Sequence, residues 1–279
     1  MKEEKTLNQS VLHISKCRWT VTRMNDSKEE IEDHLRKEIQ KSGFPLESYC
    51  SIILGKREWG VTPHYMYLPA ESRDYREIDI FAVRRFEGIG LNALIIECKK
   101  QEKMPWVFFE GERSNRDVHT LNVGDPQLYQ DLAEKFRNHY YYEKRPCVYH
   151  FPCFVQHGKP DVILEAINQV LNALAAHVSR EQKMLSQMEL QLGSHYQEYQ
   201  EFRRIFYPVI VLDGKLFRAR VHEDGDISLT ESDHLQLMVM RALPEADKTI
   251  ATDIIAFRRS YVIDIVRKGY FNEFLNNFP

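Results

Sequence analysis

Apolar and polar positions along this chain alternate with periods that change several times, and each change marks an element. In Ser27 to Gly43 the apolar residues Ile31, Leu35 and Ile39 recur every four positions, the spacing of one face of an amphipathic helix. Ser27 suits its N-cap, Glu30 follows at capping-box spacing, and Gly43 can close it. A second helix is expected after Pro45, from Leu46 to Lys56, with Glu47 near its start.

The pattern then becomes strand-like. Val61 to Leu68 is rich in aromatic residues, and Glu77 to Val83 alternates Glu77, Asp79 and Phe81 against Ile78, Ile80 and Ala82. Ala93 to Lys99 is apolar and ends abruptly in charge. Arg84 to Asn92, with Gly88 and Gly90, is read as the turn between these last two strands.

Further along, Met104 to Gly124 reads as an irregular charged loop, Asp125 to Tyr142 as a helix, and Val148 to Val155 as a strand. Asp161 to Val178 is the most apolar helix of the chain, continuing as a more polar helix through Tyr199. Phe206 to Leu212, Leu216 to Val221 and Asp226 to Leu229 are expected as strands turning at Asp213-Gly214 and Asp224-Gly225. His234 to Ala242 and Ile250 to Phe257 are two more strand candidates. A last helix is expected over Ser260 to Phe278, with Ile263, Val266, Tyr270 and Phe274 on one face.

This pattern is that of an α/β protein. Residues 1–43 are expected as a polar leader and helix, 44–160 as a core, and 161–279 as a helical and β elaboration packed on it, all in one compact unit by the lack of a Pro/Gly/Ser-rich linker. The C-terminal half carries no second catalytic constellation and is assigned to specificity or dimerisation, including a homodimer.

Composition narrows the function classes. The net charge of −3 excludes a uniformly basic nucleic-acid binder, while a locally basic face stays compatible with it. No run reaches the roughly 18 apolar residues of a membrane span, and the start of the chain lacks an apolar targeting core. Five cysteines without a CxxC pair fit a reducing cytoplasm.

The candidate chemistry lies in Tyr75-Arg-Glu-Ile-Asp79 and Leu94-Ile-Ile-Glu97-Cys98-Lys99-Lys100. Residues two apart on a strand share a face, so Glu97 and Lys99 point the same way. A turn centred near Gly88 sets Asp79 opposite Glu97, and cross-strand neighbours lie roughly 5 Å apart. Two close carboxylates repel unless a cation sits between them or one is protonated. Hard oxygen ligands beside an open position suit Mg2+, with Mn2+ as a substitute. Lys99 would orient a water, assist its deprotonation, or offset charge in the transition state.

Asp79, the hairpin and Glu97-Cys98-Lys99 resemble the D…ExK signature of the PD-(D/E)xK, restriction-endonuclease-like nuclease superfamily. The resemblance covers about a third of the chain. It implies a core of α-β-β-β-α-β order with a mixed sheet, expected here over Leu46 to Val155, and a C-terminal α+β elaboration. It also implies metal-dependent phosphodiester hydrolysis, of DNA first and RNA second, with the Cys98 backbone carbonyl as an extra metal ligand. Many members carry a glutamate on the first core helix. Glu47 is the best match, with Glu32 or Glu30 as fallback. Some relatives place a glutamine on the helix after the ExK strand, where Gln127 and Gln130 stand, but no tyrosine completes the longer motif of the recombination nucleases. The competing reading is a non-catalytic nucleic-acid-binding or scaffold protein that retains the fold.

Lys100, Lys103, Arg113 and Arg116, interleaved with Trp106, Phe108 and Phe109, are candidates for holding phosphates and stacking on bases, against the alternative of an exposed charged loop. Glu77 shares the strand face of Asp79 and is read as an edge charge. Cys147, His150, Cys153 and His157 do not have the spacing of a zinc knuckle, because His150 would face away from the two cysteines.

Overall fold

The computed structural model describes residues 28–69, 72–86, 90–110, 122–123, 147–150, 161–192, 204–240 and 260–278. Helix α1 (Lys28–Lys41) belongs to one compact unit, and the rest of the described chain, from Ser42 onward, to another. The expected helix is present in α1. None of its residues is buried, and Ile31, Leu35 and Ile39 are exposed, so the apolar stripe stays open to solvent. Its flanks carry the Lys28–Glu32 and Glu38–Lys41 ion pairs. The proposed cap Ser27 lies outside the described residues.

The second unit is built on a mixed sheet. Helix α2 (Phe44–Lys56) starts with Pro45 in its first turn and buries Leu46, Cys50 and Leu54, spaced by four, on one side. Strands β1 (Gly60–Tyr67), β2 (Arg76–Phe86) and β3 (Gly90–Glu110) follow as an antiparallel meander. Two short strands, β4 (Asn122–Val123) and β5 (Cys147–His150), precede the long helix α3 (Val162–Leu192). Strand β6 (Arg204–Val221) then lies parallel to β3 along most of its length, from Leu91↔Arg204 to Phe109↔Ala219. Parallel neighbours require a crossover connection, and α3 is the described helix of that crossover.

Strands β7 (Ile227–Glu231), β8 (His234–Met240) and β9 (Ser260–Arg267) complete the sheet. β9 pairs parallel to β6, β8 antiparallel to β9, and β5 parallel to β8. β5 returns to the far end of β3 at Phe108↔His150, so the pairing runs in a closed circuit through β3, β6, β9, β8 and β5. Two cores lie on the two faces. One holds Ala93, Ile95, Trp106, Phe206, Ile210 and Ile263 under α3, and the other holds Leu94, Ile96, Tyr207, Val209 and Val211 under α2 and the C-terminal turns.

The helix expected at Asp125 to Tyr142 lies outside the described residues, and of the strand expected at Val148 to Val155 residues 148–150 are strand, in β5. The strand that pairs in parallel along β3 is β6, so the C-terminal half extends the core sheet, as expected. Met104 to Glu110 is strand rather than loop, because Trp106 and Phe108 are fully packed under α3. Asp213-Gly214 does not turn. A Cβ at Gly214 would lie 2.4 Å from the Gln101 carbonyl oxygen, so glycine lets β6 run straight past the bulge between Gln101 and Trp106.

The expected terminal helix is also different. Ser260 to Arg267 is strand, and Tyr261, Ile263 and Ile265 face the α3 core while Val266 faces the other. A β-branched run buried on both faces outweighs a helical period that four residues match. Helical turns follow, with Phe271, Phe274, Leu275 and Phe278 buried. The hairpin at Asp224-Gly225 is as expected, with Gly225 at φ 88. By length and composition α3 could cross a membrane, but here Ile163, Ile167, Val170, Leu171 and Leu174 are buried against the sheet.

Candidate active site

Three strands and two helices bring the candidate residues together. The β2–β3 ladder ends at Ile80↔Ile96, which sets Asp79 opposite Glu97 at the next position. There the pairing changes hands: Asp79 Oδ2 accepts the Cys98 N–H at 2.7 Å instead of leaving that amide to a backbone carbonyl. The N–H and C=O of one residue leave a strand by the same edge, so the Cys98 carbonyl lies on the Asp79 side.

A kink in the sheet makes this possible. β1 pairs with β2 at Pro63↔Ile80 and Tyr65↔Ile78, so His64 stands opposite Asp79. His64 has φ 49, a left-handed conformation uncommon for a non-glycine residue. Side chains change face across it. Val61 and Ile80 pack toward α2, whereas Tyr65 and Ile78 pack toward α3. Asp79 sits at that switch, half-buried, where the regular alternation of β2 is broken.

Glu97 is 1% exposed, and its Oε1 lies 2.7 Å from Lys99 Nζ. Its Oε2 is buried and has no hydrogen-bond partner. Burial and then the Asp79 carboxylate push the Glu97 carboxyl up to about 7. Burial also raises Asp79, against the Cys98 amide and Lys99, which pull it down. Glu47, in the first turn of α2, is raised by burial and then by Asp79. Its Oε2 lies 3.7 Å from Nδ1 of His64, the residue opposite Asp79. Glu30 and Glu32 belong to the separate α1 unit.

Lys99 also donates to Gln169 Oε1 at 2.9 Å, across the groove from α3. Sequence reasoning missed Gln169 and pointed to Gln127 and Gln130, both outside the described residues. The available signal was a polar run, Asn168-Gln169, inside the most apolar helix of the chain. His64 was missed as well. Its Nδ1 lies 2.7 Å from Glu77 Oε1 and 3.7 Å from Glu47 Oε2, and the Glu77 hydrogen bond raises its pKa. Glu77 is thus a partner of the site's rim rather than a bare edge charge. A strand position opposite Asp79 was the signal.

The expected nucleic-acid contacts divide. Trp106 and Phe108 are 2% and 0% exposed, so they cannot stack on a base. Lys100 pairs with Glu102 at 2.9 Å, and Lys103 is exposed. Arg113 and Arg116 lie outside the described residues, as do the side chains of Cys147 and His150 and all of Cys153 and His157.

Carboxylates outnumber cations here, and the pKa values of Glu47, Asp79 and Glu97 are all raised. Such a site favours either protons or a divalent cation. Among the described residues no group of three or more His, Cys, Asp and Glu side chains is placed to hold a metal. A cation here would take Asp79, the unpartnered Glu97 Oε2 and the Cys98 carbonyl, with water completing the shell, a set that suits Mg2+.

Away from this site, His234 Nε2 lies 2.7 Å from Asp264 Oδ1, and Gln236 Nε2 donates to the same oxygen. Asp264 is 0% exposed and His234 packs on Tyr270 and Phe274, so this pair ties β8 to β9 within the core.

No family model, no curated protein and no solved structure matches this chain.

Proposed function

We propose that this protein is a metal-dependent nuclease that hydrolyses phosphodiester bonds, in DNA first, with Asp79, Glu97, Lys99 and Glu47 as its working residues. The observation that carries the reading is the in-register placement of Asp79 beside Glu97 on antiparallel strands, with Lys99 on the Glu97 face and Glu97 Oε2 buried without a partner. The order α2-β1-β2-β3-α3-β6, with β6 parallel to β3, supports a restriction-endonuclease-like core of α-β-β-β-α-β type, interrupted between β3 and α3.

Asp79, Glu97 and the Cys98 carbonyl would hold Mg2+ or Mn2+. When bound, such an ion lowers the pKa of a coordinated water and offsets charge on a phosphoryl group. The protein's own residues prepare the rest. An ammonium carries three N–H donors, and Lys99 commits two, to Glu97 and Gln169. The third remains to orient a water or a phosphate oxygen. Gln169 and Glu97 together fix the direction of that donor. Glu47 closes the site from α2 and adds a carboxylate that accepts a proton more readily than usual. Cys50 and Cys98 are buried, free thiols.

The test is cleavage of supercoiled plasmid and of single-stranded DNA and RNA, with Mg2+, Mn2+ or EDTA. Metal-dependent cleavage lost in Glu97→Gln supports the reading. Absence of cleavage with every metal and substrate favours the second reading, a nucleic-acid-binding or scaffold protein retaining the fold. That reading is favoured by the lack, among the described residues, of a cluster of three ligating side chains.

A further inference from the structure

A groove of about 590 Å³ lies beside the site, between α3 and the β1–β2 edge. From α3 it is lined by Leu164 and by the polar Glu165, Asn168, Gln169 and Asn172, and from the strands by Tyr67, Arg76 and Glu77. Residues three and four apart share a helix face, so four polar side chains from successive turns of α3 line one wall. Its volume falls in the ordinary range of small-ligand sites. Gln169 joins the groove to the catalytic centre, because its Oε1 accepts from Lys99 while its residue lines the groove.

The chemistry of the lining is unlike that of a phosphate site. Its charged lining residues are one arginine, Arg76, and three acids, Glu77, Asp161 and Glu165. The N-terminal amides of α3 are already capped, since Asp161 Oδ1 accepts the N–H groups of Ile163 and Leu164. A polyanion is repelled here. A neutral ligand rich in hydrogen-bond groups is not. The Asn172 amide offers a donor and an acceptor and Gln169, whose Oε1 is held by Lys99, keeps its NH2 donors, the groups that recognise base edges. Carboxylates accept from exocyclic amino groups.

We propose that this groove is a nucleobase subsite: it takes an unpaired base that bears an exocyclic amino group, adenine, cytosine or guanine rather than thymine, from the nucleotide beside the scissile phosphate. This rests on the nuclease reading of the adjoining site. A base can enter such a groove only when it is out of the stack, so the preferred substrate is single-stranded or locally unpaired. The phosphate stays outside, at Lys99, and the base lies along α3. Carboxylates in the groove thereby serve selection and keep the backbone from binding in the wrong place.

The experiment uses the full chain in EDTA, which separates base recognition from hydrolysis. Fluorescence anisotropy measures binding of short labelled dA, dC and dT single strands, with the nucleosides adenosine, cytidine and thymidine as competitors. The expected result is that dA and dC bind about tenfold more tightly than dT, and that adenosine and cytidine compete while thymidine does not. Asn172→Leu, which fills the groove with an apolar side chain, should abolish the preference and leave the weaker, base-independent binding. Glu165→Gln is the second variant, on an exposed position, and should reduce the preference without touching the fold. Equal binding of all strands, no binding of any, or a preference that survives both variants overturns the inference. A preference lost in the variants, in a protein that cleaves nothing with any metal, supports the groove and removes the nuclease reading. Metal-dependent cleavage without any base preference does the reverse.

Discussion

Gln169 on α3 accepts a hydrogen bond from Lys99 Nζ at 2.9 Å, linking positions 70 apart in sequence. The same ammonium contacts Glu97 at 2.7 Å. The direction of the Lys99 side chain is therefore set by a helix that sequence reasoning left out of the site. Gln169→Ala removes one restraint and leaves the other. Single-turnover cleavage at saturating Mg2+ should fall about tenfold, with substrate affinity nearly unchanged. An unaltered rate would remove Gln169 from the machinery.

Asp79→Asn and Lys99→Ala should separate. The first keeps the shape of the Cys98 contact but removes negative charge from a site that, on the nuclease reading, would hold a cation. The second removes a positive charge near that cation, so metal binding holds or strengthens slightly. Both should lower cleavage by about 10²–10³-fold. Raising Mg2+ should partly rescue Asp79→Asn and leave Lys99→Ala unchanged. Plasmid cleavage rates across a Mg2+ titration test this, and parent-like rates in both variants would place the activity elsewhere.

Glu97 stores a stability cost. Its carboxyl is raised to about 7 in the fold by burial and Asp79. The folded protein thus binds a proton more tightly than the unfolded chain does. This contribution to stability is fully present below the unfolded value of 4.5 and is lost as pH rises toward 7. Glu97→Gln should raise the metal-free stability at pH 8 by about 1–3 kcal/mol while abolishing cleavage. Urea unfolding in EDTA measures it, and a destabilised variant at that pH would contradict the assignment of Glu97 as a strained ligand.

His177 acts in the opposite sense. It is buried against Phe81, with ring centroids 4.4 Å apart, and its Nε2 has no hydrogen-bond partner. Burial lowers its pKa to about 4 from 6.5. The stabilisation is present above pH 6.5 and is lost as pH falls toward 4, by about 3 kcal/mol in full. His177→Phe should flatten this part of the profile relative to the parent. Melting temperature against pH for both proteins provides the comparison, and parallel profiles would show that His177 does not titrate with folding.

Truncation after residue 160 should not leave a folded domain. It removes β6, which pairs with β3 from Leu91 to Phe109, and with it α3, which covers one core. The β3 face carrying Ile95, Trp106 and Phe108 would be exposed. Circular dichroism and thermal unfolding of the fragment should show no cooperative transition, and a stable fragment would contradict the central place of β6.

The sequence by itself determined the meander and the chemistry on it. Short-range periods set β2 and β3, and the spacing of Glu97 and Lys99 put them on one face because strand geometry alternates with period two. The hairpin then placed Asp79 beside Glu97 without any further information. The place of Glu47 in the first turn of α2 was readable as well. Tertiary structure decided what long-range packing alone can decide. Gln169 and His64 join the site through a crossover helix and a kinked neighbouring strand, and no local period reports either. Ser260 to Arg267 became strand because both its faces are buried, although its apolar spacing also fits a helix. Trp106 and Phe108 left the candidate nucleic-acid surface for the core because β6 and α3 close over them. Local propensity fixes which side chains share a face. Only the pairing of β3 with β6, far apart in sequence, decides which of those faces meets water.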